Sequence, residues 1–186
     1  MLLPSALHFA HNLIREQVRA GDCVLDGTAG NGHDTCLLAE LVGQSGRVWA
    51  FDIQKQALEA TAARLAERGL GARVSLIHDG HQHLAAWVDR PLRLAVFNFG
   101  YLPGGDKSIT TTGETSVAAL SAAADRLDAG GLLLAVVYSG HGAGRAEAAV
   151  IEQWAQNLPQ SVFQVLRYQF ANQRNNPPYL LAVAKR

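Results

Sequence analysis

Apolar and polar positions follow two different periods along this chain. In Pro4–Ala20, Leu7, Ala10, Leu13, Ile14 and Val18 recur at helical spacing, with Ser5 near the start and Gly21 at the end. That pattern predicts an amphipathic helix. Seven short apolar runs follow as predicted strands: Asp22–Asp26, Arg47–Asp52, Arg73–Ile77, Leu92–Phe97, Leu132–Tyr138, Ser161–Phe170 and Tyr179–Ala184. Helical spacing returns between them in Gly32–Val42, Gln54 to about Arg68, Gly113–Leu127, and Arg145 to about Leu158. Thr111 and Glu114 have the spacing of a capping box ahead of the third of these.

Strand and helix alternate up to the fifth strand, and only a polar turn, Ala171–Pro177, separates the last two. Helical crossovers join parallel strands, whereas a short turn joins antiparallel ones. The expected fold is therefore α/β: a doubly wound, mostly parallel seven-stranded sheet with an antiparallel last strand, in a single domain over residues 1–186.

Composition narrows the function more than the fold. Sixteen basic residues balance sixteen acidic ones. That argues against a protein that coats nucleic acid non-specifically, which needs a broad basic surface. Hydrophobic residues make up 48% of the chain, enough for a sizeable core. Cys23 and Cys36 both fall on elements expected to be buried and read as reduced core thiols. The apolar start, Met1-Leu2-Leu3-Pro4, is too short for a signal peptide, and no run approaches the length of a membrane span. The expectation is a cytoplasmic protein with no membrane partner.

Candidate chemistry centres on Val24–Thr35, VLDGTAGNGHDT. An apolar run ends in Asp26, a loop with Gly30 and Gly32 follows, and a helix begins. Such a strand, tight turn and helix lets a ligand approach the backbone beside unpaired helix N–H groups. A dinucleotide fingerprint would carry a third Gly or Ala where Thr35 stands. Asp26 and Asp34 would also repel a pyrophosphate. S-adenosylmethionine carries an ammonium, a sulfonium and no phosphate, so it suits this loop better.

Asp52 ends the second strand, 20 residues after Gly32. There it can accept both hydroxyls of a ribose, which both NAD and S-adenosylmethionine possess. Asp79 follows the third strand and can take an adenine amino group. Around it, His78, His81 and His83 form a cluster that suggests a metal. Residues at a strand end and on a short helix need not converge, so they read as pocket residues plus a solvated His83, with no metal expected. His8 and His11, three apart on the first helix, lack a third ligand and read as packing or rim residues.

The fourth strand runs into Asn98-Phe99-Gly100-Tyr101. This resembles the N/D-P-P-Y/F turn of amino-group methyltransferases, with both prolines replaced. The resemblance implies that Asn98 orients a nucleophilic amine and that Tyr101 stacks on a base. The polar loop Gly104–Thr112 and the glycine-rich Ser139–Gly144 lie at the same sheet edge. Lys107, Arg145 and Arg174 are placed to take phosphates there, and His141 to serve as a base or phosphate donor.

Taken in order, DGTAGNGHDT, FDIQ, HDGHQH, FNFGYLPGGDKSITT, YSGHGAG and YQFANQRNNPPYLLAVAKR resemble the bacterial YtqB/MnmM-type methyltransferases, once described as rRNA methylases. The resemblance spans essentially the whole chain and implies a Rossmann-like class I methyltransferase using S-adenosyl-L-methionine. It implies methylation of the exocyclic amine of 5-aminomethyl-2-thiouridine at the tRNA wobble position, with the anticodon loop as partner. It places Asn31, His33, Asp52, Gln54, Asp79 and His81 at the cofactor. Asn98, Tyr101, Lys107, His141 and Gln173 would lie near the acceptor. Gly27 and Gly80 depart from the family's expected Ala and Ser. The rival readings are an NAD-linked oxidoreductase, a non-catalytic RNA-binding module and a metal hydrolase. Oligomeric state, a homodimer included, is not legible.

Overall fold

The computed structural model describes residues 2–100, 111–140 and 142–186. In chain order its elements are α1 (Ala6–Gln17), β1 (Cys23–Asp26), α2 (His33–Val42), β2 (Arg47–Asp52), α3 (Lys55–Glu67) and β3 (Val74–His78). They continue as β4 (Leu92–Phe99), α4 (Gly113–Arg126), β5 (Leu127–Val137), α5 (Gly142–Gln156), β6 (Phe163–Tyr168) and β7 (Tyr179–Lys185). Two short 3-10 turns, Gly71–Arg73 and His81–Ala86, flank β3.

One seven-stranded sheet, in the order β3-β2-β1-β4-β5-β7-β6, holds the molecule together. The first five strands are mutually parallel, and β7 runs antiparallel to both β5 and β6. The expected α/β architecture, antiparallel last strand included, is the one observed.

Successive strand residues point to opposite faces, and each face has its own core. Val24, Leu94, Val96, Leu134 and Val136 pack against α1 and α2 through Ala10, Ile14, Leu38 and Val42. Leu25, Ala95, Phe97, Phe99, Ala135 and Val137 pack against α4 and α5 through Leu120, Ala123, Ile151 and Ala155. Both faces of the central strands are covered, which is why those strands read as unbroken apolar runs. None of the described helices is long and apolar enough to cross a membrane. Both cysteines are free, Cys36 buried and Cys23 half-buried.

Several boundaries differ from those the sequence predicts. α1 is shorter at both ends: the Ser5 side chain accepts a bond from His8 N, and Val18 is already extended. The box ahead of α4 is Thr112 with Thr115, not Thr111 with Glu114. A second hydroxyl stands at the third helical position and closes the reciprocal bonds there. β5 begins at Leu127 because Leu127 pairs with Leu92, after which the register shifts before Leu94 meets Leu132. α5 starts three residues earlier than expected, and β6 keeps only the residues that pair with β7.

One difference matters for function. β4 extends two residues beyond Phe97, since Asn98 pairs with Val136 and Phe99 with Val137. Asn98 therefore shares the parity of Leu94 and Val96 and belongs to the α1–α2 face.

Candidate active site

In an open α/β sheet, ligands bind outside the carboxyl ends of the strands. Asp26, Asp52, His78 and Asn98-Phe99 end or nearly end β1, β2, β3 and β4 at that edge.

The glycine loop after β1 is braced from several directions. Asp26 is fully buried and accepts from Thr35 Oγ1 at 2.6 Å and from the Thr28 N–H at 3.1 Å. Burial, aided by the neighbouring Asp34 carboxylate, raises its pKa to about 7. Asp26 thus braces the loop, and its complete burial, in contrast to the half-buried Asp52, departs from the expectation that it faces a cationic ligand. Gly32 caps α2 with φ +80°, and a Cβ there would lie 2.9 Å from the Thr61 backbone. Thr61 and Arg64 of α3 donate to the carbonyls of Gly30 and Asn31 at 3.0 and 2.9 Å. Gly27 has no room for a side chain either, because a Cβ would overlap the Phe97 ring. That accounts for a glycine where the family resemblance leads one to expect alanine.

Asp52 accepts from Gly30 N at 2.9 Å and from Gln54 N at 2.8 Å, one donor to each oxygen. A carboxylate has about four acceptor positions, so roughly half its capacity remains for a ligand. Gln54 caps α3 without using its side chain, His33 is exposed at the start of α2, and Asn31 is half-buried.

Asp79 is more heavily engaged than the sequence suggests. It receives His83 Nδ1 and the Gly80 N–H, each at 2.7 Å on Oδ1, and Trp87 Nε1 at 3.0 Å on Oδ2. The bonds from His83 and then Trp87 hold its carboxyl below the usual range. His83 is exposed, as expected of a solvated residue, and is also a partner of Asp79. His78 meets the Ile53 carbonyl and His81 the Gly27 carbonyl, so the three imidazoles turn to separate partners. Among the described residues no group of His, Cys, Asp and Glu is arranged to hold a metal.

His81 Nδ1 lies 3.2 Å from the Gly27 carbonyl, so Nδ1 carries the proton. Nε2 is then a bare acceptor, buried and without a partner among the described residues. Burial lowers this histidine to about 4, which keeps the ring neutral.

Asn98 is fixed at two points. Its N–H donates to Thr28 Oγ1 at 2.7 Å, and its Nδ2 donates to Asp34 Oδ2 at 2.6 Å. The other Asp34 oxygen takes His11 Nε2 at 2.7 Å. Asn98 Oδ1 is left as a buried acceptor with no partner among the described residues. Sequence reasoning misses the link of Asp34 and His11 to Asn98: Asp34 reads there as a helix-opening acid that disfavours a pyrophosphate, and His11 as a packing or rim residue. Their one sequence-level signal was an acid and a histidine on consecutive helices, which is weak.

Arg145 is exposed in the first turns of α5, and Gln173 and Arg174 are exposed in the turn before β7. That turn carries Asn175 and Asn176 at positive φ, the region Asn tolerates best after Gly. Tyr101, Lys107 and His141 lie outside the described residues.

The strand order, the braced glycine loop after β1 and the acid ending β2 define a class I methyltransferase. Residues 48–184 match the family model described as "Putative rRNA methylase", and the chain belongs to that family. It is 38% identical to the Arabidopsis thaliana chloroplastic tRNA (mnm(5)s(2)U34)-methyltransferase, across 97% of this chain and 69% of that protein. The crystal structure of a "putative rRNA-methylase" from Clostridium thermocellum superposes over the full length of both chains with TM-score 0.98 and 41% identity. A Streptococcus mutans methyltransferase in complex with SAH does so with TM-score 0.91 and 34% identity.

Proposed function

We propose that this chain, acting as one domain over residues 1–186, methylates the exocyclic amine of 5-aminomethyl-2-thiouridine at the wobble position of tRNA. S-adenosylmethionine is the methyl donor in this reading. When bound, it supplies a methyl carbon on a sulfonium, which departs as a neutral thioether as the amine lone pair forms the new N–C bond. The relatives described as a tRNA (mnm(5)s(2)U34)-methyltransferase and as an SAH complex support both halves of the reading.

The observation that carries it is the Asn98 amide. Its nitrogen donates to Asp34, and its oxygen is an acceptor without a donor among the described residues. An amine nucleophile supplies the missing N–H, and the bond to Oδ1 aims the nitrogen lone pair away from Asn98. The amine, having passed its proton to water, is held for in-line attack; alignment of this kind accounts for a large part of such a barrier. The carbon under attack is already activated by the sulfonium, so the reaction needs no metal.

Asp52, with acceptor capacity to spare, holds the ribose. Asn31, His33, Gln54 and the Gly30–Gly32 backbone line the donor's side, and His81 Nε2 offers there an acceptor unmet among the described residues. Asp79 acts chiefly by ordering its own turn. Arg145, Arg174 and Gln173 meet the anticodon loop, joined from the sequence reading by Lys107, His141 and the base-stacking Tyr101.

The test is nucleoside mass spectrometry of tRNA from cells lacking this gene, treated with the protein and S-adenosylmethionine. Conversion of the aminomethyl nucleoside to its methylamino form is expected. Unchanged nucleoside, with S-adenosylhomocysteine still bound, would reject the acceptor and keep the donor.

A further inference from the structure

We propose that Asp34, steadied by His11, is a positioning residue that fixes the orientation of the Asn98 amide and so decides which of its two ends meets the acceptor amine. The inference rests on the reading of Asn98 given above. A side-chain amide can turn over and exchange its donor and acceptor ends. Asn98 offered to an amine with NH2 foremost would present a donor to a donor. A carboxylate only accepts, so Asp34 Oδ2 at 2.6 Å selects the state with Nδ2 toward itself and Oδ1 away.

Three features separate this from an ordinary helix-end acid. Asp34 is only 8% exposed, and burying a carboxylate is costly unless its bonds are made. It caps nothing: its two oxygens go to His11 and Asn98, 23 residues before it and 64 after it. Removal of the pair in favour of apolar residues would often be neutral for stability, so stability alone does not explain it. The contacts come from α1, α2 and β4, and they meet because Asn98 is a paired strand residue on the α1–α2 face.

The test compares full-length wild type, Asp34→Asn, Asn98→Ala and the double variant. A neutral amide at position 34 can pair with either orientation of Asn98. Asp34→Asn is expected to lower kcat at least tenfold, with KM for tRNA and the S-adenosylhomocysteine Kd each within twofold of wild type. In the Asn98→Ala background the same change should cost less than twofold, because a residue acting through Asn98 has nothing left to orient. An equal loss in both backgrounds, or an unchanged kcat, would overturn the proposal.

Nitrogen-15 NMR of the Asn98 side chain supplies a readout independent of turnover. The amide proton facing Asp34 should be protected from exchange in wild type and unprotected in Asp34→Asn; equal protection in both would overturn the proposal. Should wild type fail to methylate the tRNA, the acceptor reading falls, and the NMR comparison still decides the orientation. If Asp34→Asn does not fold, the histidine carries the test. His11→Leu should lower kcat several-fold and His11→Gln should restore most of it, since only Gln can donate to Asp34. Equal activity of the two histidine variants would overturn the steadying role.

Discussion

The two halves of the sheet edge are built on opposite plans. On the β1–β2 side the loop is braced before any ligand arrives, by Asp26 with Thr28 and Thr35, Asp52 with Gly30 and Gln54, and α3 with the loop carbonyls, while spare acceptor positions on Asp52 and on His81 Nε2 face the donor's place. On the β4 side Asn98 is anchored as firmly, yet its oxygen is left unmet among the described residues. A buried acceptor without a donor is disfavoured by about 1–3 kcal/mol. It is tolerable where a ligand supplies the donor during the reaction. The contrast separates a half that holds its shape before binding from a half completed by its substrate.

The largest effect that would break this contrast lies at Asn98. Asn98→Ala is expected to lower turnover roughly 100-fold, the scale of losing one preorganised polar contact at a reacting centre. S-adenosylhomocysteine affinity, measured by calorimetry, should stay within about twofold, since the donor half would be untouched. Normal turnover would remove Asn98 from the chemistry. On the other half the pattern should reverse. Asp52→Ala should weaken S-adenosylhomocysteine binding by about 1–3 kcal/mol, as for a lost charged hydrogen bond. Unchanged affinity would take the ribose away from Asp52.

Next in size is a change that touches neither ligand. Gly27→Ala drives a methyl into the Phe97 ring. It should lower stability by about 1–3 kcal/mol, read as a fall in Tm or in the denaturant midpoint. Adding Phe97→Leu should recover part of the loss. Equal melting of Gly27→Ala and wild type would mean that the ring moves aside without strain.

The smallest effect sharpens the comparison through pH. Asp26 has a folded pKa raised to about 7, above its ordinary value, so its contribution is present at low pH and is lost as pH rises through 7. His81 has a folded pKa lowered to about 4, so its contribution is present above its ordinary value near 6.5 and is lost as pH falls toward 4. The two oppose each other between pH 4 and 7, and the wild-type Tm should vary little there on their account. Asp26→Asn should leave a Tm that climbs with pH across that window. His81→Gln should leave one that declines. Parallel profiles for the two variants would contradict both burial effects.

Much of this site could be read from residues close together in the chain. The loop from Gly27 to Gly32 announced itself by composition, and Asp52 by ending an apolar run at the right distance. Asp26 misled because an acid at a strand end looks the same whether it faces a ligand or braces its own loop. Only the positions of Thr28 and Thr35 distinguish the two. The bonds of Asp79 are not legible in the sequence either, since Trp87 and His83 reach it only once the turn after β3 is formed. The capping box falls one residue later than its spacing predicts, because three threonines, Thr110, Thr111 and Thr112, stand in a row and local spacing alone does not choose among them.

The sequence by itself determined the order of strands and helices, the doubly wound sheet and the edge at which its polar loops gather. These follow from periodicity, and periodicity is a property of neighbours in the chain. Only the tertiary structure decided that Asp34 meets both His11 and Asn98, that Phe97 requires glycine at position 27, and that Asn98 belongs to a strand rather than to the loop beyond it. Each of those depends on strand register and on which face a side chain takes. A shift of one residue would reverse the face, and the pairing of strands distant in the chain is what prevents it.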